Sequence, residues 1–130
     1  MKHRILASRI RRALRTFPAA VLTGPRQSGK TTLLRHLLNT THGYASLEDP
    51  DARMRAHEDP RGFLSRFSKP VILDEIQYSP ELLPYIKTRI DEHRKPGFWV
   101  LTGSQNFALM HGVGESLAGR AAVLSLLPFS

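Results

Sequence analysis

Residues 24–31 read Gly-Pro-Arg-Gln-Ser-Gly-Lys-Thr, an octet that satisfies G-x-x-x-x-G-K-[ST], and the short apolar run Ala19-Ala20-Val21-Leu22-Thr23 leads directly into it. A strand, a glycine-bearing turn and a helix are the setting in which this octet forms a phosphate cradle. The glycines let the backbone curl until successive N–H groups face phosphate oxygens, and the following helix adds the positive end of its dipole. The candidate nucleotide-binding residues are therefore Gly24, Pro25, Arg26, Gln27, Ser28, Gly29, Lys30, Thr31 and Thr32. Lys30 is expected to reach the β and γ phosphates, Thr31 to ligate Mg²⁺ through its hydroxyl, and Thr32 to add a donor near the α phosphate.

A second stretch discriminates among nucleotide users. In Pro70-Val71-Ile72-Leu73-Asp74-Glu75, consecutive apolar β-formers read as a strand buried on both faces, with acids only at its C-terminal end. In open α/β sheets that end faces the ligand. Asp74 is the expected Mg²⁺ partner, and Glu75 the expected general base for a water attacking the γ phosphate. A later buried run, Phe98-Trp99-Val100-Leu101, ends in Thr102-Gly103-Ser104-Gln105-Asn106, where Ser104 is the candidate to orient that water and Asn106 its substitute. Arg120 follows a glycine-bearing stretch, Gly112 to Gly119, read as a loop. It could stabilise charge on a transferring phosphate, in its own subunit or a neighbour's, or be a surface cation at the mouth of a strand.

These groups need an α/β frame to hold them. One further strand is expected at Tyr44 to Leu47, then helices around 51–56 and 61–67, a helix from Ser79-Pro80 to Lys95-Pro96-Gly97, and a fifth strand over 121–127. Ser79 reads as the N-cap of that helix, and Asp49 as the cap of the helix beyond Pro50 rather than as a contact to ribose, metal or partner. A strand inserted between the phosphate-loop strand and the acid-bearing strand belongs to the ATPase branch of such folds. The guanine-reading Asn-Lys-x-Asp occurs nowhere, and the six histidines show no ligand spacing.

The chain has 130 residues, 41% hydrophobic and 23% charged, a composition suited to one soluble globular domain. It has no cysteine, which removes disulfides and thiolate chemistry and fits a reducing, cytoplasmic setting. No run is long enough to span a membrane. The net charge is +8, and six of its cations lie in residues 1–16 with no acid among them. Leu6, Ile10, Leu14 and Phe17 recur at helical spacing there, so residues 1–18 are expected to be an amphipathic lead-in helix with solvated arginines. Nucleic acid or another acidic partner is the second reading of that face, and a targeting segment the third.

With these residues named, the chain resembles the AAA-like P-loop ATPases of bacteria and archaea. These carry Gly-Pro-Arg-Gln-x-Gly-Lys-Thr-Thr, Asp-Glu-Ile-Gln, Leu-Thr-Gly-Ser, Leu-Ala-Gly-Arg and Leu-Pro-Phe in the order seen here at 24–32, 74–77, 101–104, 117–120 and 127–129. The resemblance implies a parallel five-stranded sheet with helices on both faces and the phosphate-loop strand central, ATP with Mg²⁺ as ligands, and ATP hydrolysis. It carries Lys30 and Thr31 to nucleotide binding, Asp74 and Glu75 to magnesium and catalysis, Ser104 to a sensor and Arg120 to a finger-like arginine. Proteins of this type look longer, so residues 19–130 are expected to be an ATPase core cut off before a C-terminal region, binding ATP and turning it over slowly. Partners left open are a homo-oligomer and nucleic acid on the Arg-rich helix. A nucleotide-switched docking module is the alternative function, and a small-molecule kinase the less favoured one.

Overall fold

A computed structural model describes residues 2–25, 28–104 and 106–126. Arg26, Gln27, Gln105 and the Leu-Pro-Phe stretch at 127–129 lie outside the described residues. In chain order the elements are α1 (Lys2–Thr16), β1 (Ala19–Thr23), α2 (Lys30–Leu38), β2 (Gly43–Ser46), α3 (Pro50–Glu58), α4 (Pro60–Ser65) and β3 (Val71–Asp74). A 3-10 turn at Ile76–Tyr78 leads to α5 (Leu82–Glu92), β4 (Trp99–Gly103), α6 (Phe107–Leu117) and β5 (Ala121–Ser125).

The five strands form one sheet in the order β2-β3-β4-β1-β5, every neighbouring pair parallel. This is the expected α/β P-loop architecture. β1 is interior but not central: β4 holds the middle and separates β1 from the acid-bearing β3. Parallel strands must be covered on both faces, and alternation along them sorts the cover. Ala19, Val21, Val71, Leu73, Trp99 and Leu101 point into a core with α3 to α6, whereas Ala20, Leu22, Ile72 and Val100 meet α1 and α2. β1, β3 and β4 are buried at every residue, and the edge strands β2 and β5 are not.

α1 runs over Lys2–Thr16 and ends before Phe17, the last residue of the expected stripe; Leu6, Ile10 and Ala13 are buried on it and Leu14 partly so. Asp49 caps α3, its carboxylate accepting from Asp51 N at 3.2 Å with Pro50 in the first turn. Two local expectations fail. Ser79 does not cap α5; it is fully buried, and its Oγ has no partner. The expected glycine loop is helix instead: Gly112 and Gly114 lie inside α6, which Asn106 caps by accepting from Leu109 N at 2.7 Å. Gly112 is close-packed, since a Cβ there would come within 3.1 Å of Leu83 Cδ1, so contact with α5 outweighs the helix-breaking tendency of glycine.

Candidate nucleotide-binding site

The C-terminal ends of β1, β3 and β4 bring the two predicted motifs together. After β1 the chain turns at Gly24, where a Cβ would stand 2.6 Å from the Leu126 carbonyl oxygen, so only glycine fits. Gly29, with φ 86°, enters α2 in the left-handed conformation that glycine adopts freely. Between them the Ser28 hydroxyl is buried with no hydrogen-bond partner. Lys30 is only 3% exposed, and its Nζ donates to the Pro25 carbonyl at 3.2 Å, folding the ammonium back over the loop. Thr32 is exposed at the start of α2.

Thr31 points from the first turn of α2 to the end of β3, and its Oγ1 donates to Asp74 Oδ1 at 2.7 Å. Asp74 also accepts from Thr102 Oγ1 on the same oxygen and from Tyr44 OH on Oδ2 at 2.7 Å. Three neutral hydroxyls from α2, β4 and β2 thus aim one buried carboxylate. Tyr44 stands on the edge strand with the Arg35 guanidinium 4.2 Å above its ring. Burial, and then its bond to Asp74, push its phenol up to about 12.

Glu75 follows in a left-handed conformation, φ 56° and ψ 54°, the sole non-glycine residue with positive φ among the described residues. Such a backbone costs of order 1–3 kcal/mol and persists where surrounding contacts over-determine it. Here Glu75 N donates to Thr102 Oγ1 at 2.9 Å, and Gln77 Nε2 donates to Glu75 Oε1 at 3.1 Å. The carboxylate is thereby held by an amide. Ser104 follows β4 at the same edge: its N donates to Gln77 Oε1 at 3.2 Å, and its Oγ accepts from Asn106 Nδ2 at 2.9 Å.

Arg120 is not brought to this site. It precedes β5 at the opposite, N-terminal end of the sheet, where its carbonyl accepts from Ala19 N. Its Nε and Nη2 donate to the two Asp91 oxygens at 2.8 and 3.1 Å, which holds the Asp91 carboxyl below its ordinary value. A strand of five residues spans about 17 Å, so within one chain the expected finger cannot reach Lys30.

Among the described residues no group of three His, Cys, Asp or Glu could hold a metal. A magnesium site does not need one: a hydroxyl and one carboxylate, completed by phosphate oxygens and water, is the ordinary set for that cation. Thr31 Oγ1 and Asp74 are hard oxygen donors already in contact, and Ser28 Oγ and Lys30 Nζ are the donors in the loop; the residues fit Mg²⁺ with a polyphosphate. Three contributors had no role in the motif reading: Tyr44, which lies outside every motif, and Thr102 and Gln77, which lie inside two of them.

A family profile described as an AAA domain matches residues 16–130. Uncharacterized proteins of Mycobacterium bovis and Mycobacterium tuberculosis are each 38% identical over 128 residues, covering 97% of this chain and 29% of theirs, so the chain spans under a third of these curated relatives. Among solved structures, a Walker-type ATPase of Pyrococcus abyssi is similar at 20% identity with a TM-score of 0.62, over 95% of this chain and 53% of that one. A DNA replication initiation factor is similar at 15% identity with a TM-score of 0.61, over 95% and 45%. At such identities the likeness is one of fold.

Proposed function

The chain belongs to the AAA domain family, and from that premise we propose that it is a Mg²⁺-dependent ATP-binding and ATP-hydrolysing domain that couples hydrolysis to conformational change in attached domains or partners. The observation that carries this reading is the 2.7 Å bond from Thr31 to Asp74 beside the strained Glu75, because it joins two motifs 43 residues apart at the ligand-facing edge of a parallel sheet.

In this reading the 24–32 loop binds the phosphates by its N–H groups, with Arg26 and Gln27 contributing from the same loop. Lys30 leaves the Pro25 carbonyl for the β and γ phosphates. Thr31 and Asp74 hold Mg²⁺, which when bound neutralises charge on the β and γ oxygens. Glu75 accepts the proton of the attacking water as the new P–O bond forms and the bond to ADP breaks. Ser104 and Gln77 fix where that water and that carboxylate stand. Arg120 has no part in its own subunit's site and serves only a neighbouring copy in a homo-oligomer.

Nucleotide binding and steady-state turnover, measured for the wild type, Lys30→Ala and Glu75→Gln, test the assignment. Lys30→Ala should lose binding, whereas Glu75→Gln should bind ATP and lose turnover by about 100-fold or more, the scale of general-base contributions. Normal hydrolysis by Glu75→Gln would remove Glu75 from the base role.

A further inference from the structure

A large share of the basic excess lies on α1. Arg4, Arg9, Arg11, Arg12 and Arg15 are exposed on α1, a helix without an acidic residue. None of the five has a carboxylate within ion-pair distance among the described residues. At 3.6 residues per turn Arg4, Arg11 and Arg15 fall within a sector of about 40°, on a helix about 22 Å long. The apolar stripe is turned into the sheet, so these cations are free to meet an anion.

The C-terminal end of α1 reaches the N-terminal edge of the sheet. Gly97 N donates to the Phe17 carbonyl at 2.9 Å, and Gly97 has φ 70° and room only for hydrogen, since a Cβ there would lie 2.8 Å from the Leu14 carbonyl. The segment around Gly97 also walls a cavity of about 280 Å³, lined by Phe67, Arg89, His93, Lys95, Phe98 and Trp99 and by no acid. Its aromatic wall is compact: the Phe98 and Trp99 rings are 4.8 Å apart, and Lys95 Nζ lies 5.9 Å from the Phe98 centroid. Of the two acids ending α5, Asp91 is held by Arg120 and Glu92 lines a neighbouring hollow.

We infer that α1 and this cavity together bind single-stranded nucleic acid, with phosphates along the arginines and one unstacked base in the aromatic cavity at the N-terminal edge of the sheet. Unpaired cations supply the sequence-independent backbone term. A cationic track combined with a ring on which a base can stack is the arrangement that single strands use. A duplex keeps its bases stacked and would engage the arginines alone, and an anionic lipid surface would leave the cavity empty.

Anisotropy of a labelled 15-nucleotide single strand, of the matching duplex and of phosphatidylserine vesicles, each titrated with salt, tests this on the wild-type chain. Trp99 is the sole tryptophan and stands in the cavity wall, so its emission reports the base. The single strand should bind more tightly than the duplex and quench Trp99. With five phosphate contacts the slope of log affinity on log salt should be about −3.5, and joint Arg4→Gln, Arg11→Gln and Arg15→Gln should reduce it by about 2. Phe98→Leu keeps apolar bulk and should cost about tenfold and most of the quenching. Lys30→Ala should leave strand binding intact, which separates this inference from the ATPase reading. Equal affinity for duplex with unchanged Trp99 emission, indifference to the α1 arginines, or binding to vesicles alone would each overturn it.

Discussion

Gln77 spans two candidate catalytic loops: its Nε2 donates to Glu75 Oε1 at 3.1 Å, while its Oε1 accepts from Ser104 N at 3.2 Å. One planar amide thus ties the carboxylate after β3 to the backbone after β4. Gln77→Leu removes both bonds and keeps the bulk. It should lower turnover by about tenfold while ATP affinity changes less than twofold, a loss of positioning rather than of binding. Steady-state kinetics with a parallel binding titration would show the split. An equal rise in KM and Kd would mean that Gln77 merely supports the fold.

Tyr44 holds the second oxygen of Asp74. Tyr44→Phe should therefore raise the Mg²⁺ concentration for half-maximal turnover by about tenfold, the effect usual for a partner that aims a metal-binding carboxylate. The same phenol makes an alkaline prediction. Its folded value, about 12, lies above its ordinary 10.0, so the folded state holds the proton longer than the unfolded chain. The stabilisation is fully present below pH 10 and is lost as pH rises towards 12. The urea midpoint should fall across that window for the wild type and fall less for Tyr44→Phe.

Gly24→Ala should destabilise the fold by about 1–3 kcal/mol, the cost of overpacking, because its Cβ would stand 2.6 Å from a backbone oxygen of residue 126 that cannot swing aside. Equilibrium urea unfolding measures this directly. An unchanged midpoint would mean that the segment after β5 is free to shift.

Arg120→Gln should leave turnover per chain unchanged within twofold at dilutions where the protein is monomeric, since Arg120 is engaged with Asp91 at the far end of the sheet. A rate that rises with protein concentration in the wild type but not in Arg120→Gln would reveal a contribution between subunits. A large loss at high dilution would contradict the placement.

The fold was legible because its carriers are local: a glycine octet after an apolar run, and acids after a buried strand. What stayed hidden was held by contact between distant segments. Gly112 and Gly114 read as loop because glycine disfavours helix, yet Gly112 lies close against Leu83 and the helix runs through both. Ser79 has the residue type of a cap, but α5 begins only at Leu82, with Glu81 at the cap position, and Ser79 is buried. Arg120 sits in a motif order that suggests the nucleotide, and only the strand direction shows that it enters β5 from the opposite end. Tyr44 carries no motif, and Thr102 lies within Leu-Thr-Gly-Ser without a role read for its hydroxyl; sheet order brings both to Asp74.

The placing of β1 between β4 and β5 also bears on how the chain is made. β1 leaves the ribosome early, but both strands that pair with it are encoded in the last third of the sequence. At ~5–20 residues per second the 80 or so residues between Thr23 and Gly103 take roughly 4–16 s to synthesise. During that interval the phosphate loop has no β4 to anchor it, and its apolar strand has no sheet partner. The nascent chain should therefore gain nucleotide affinity in a single late step, not in proportion to its length.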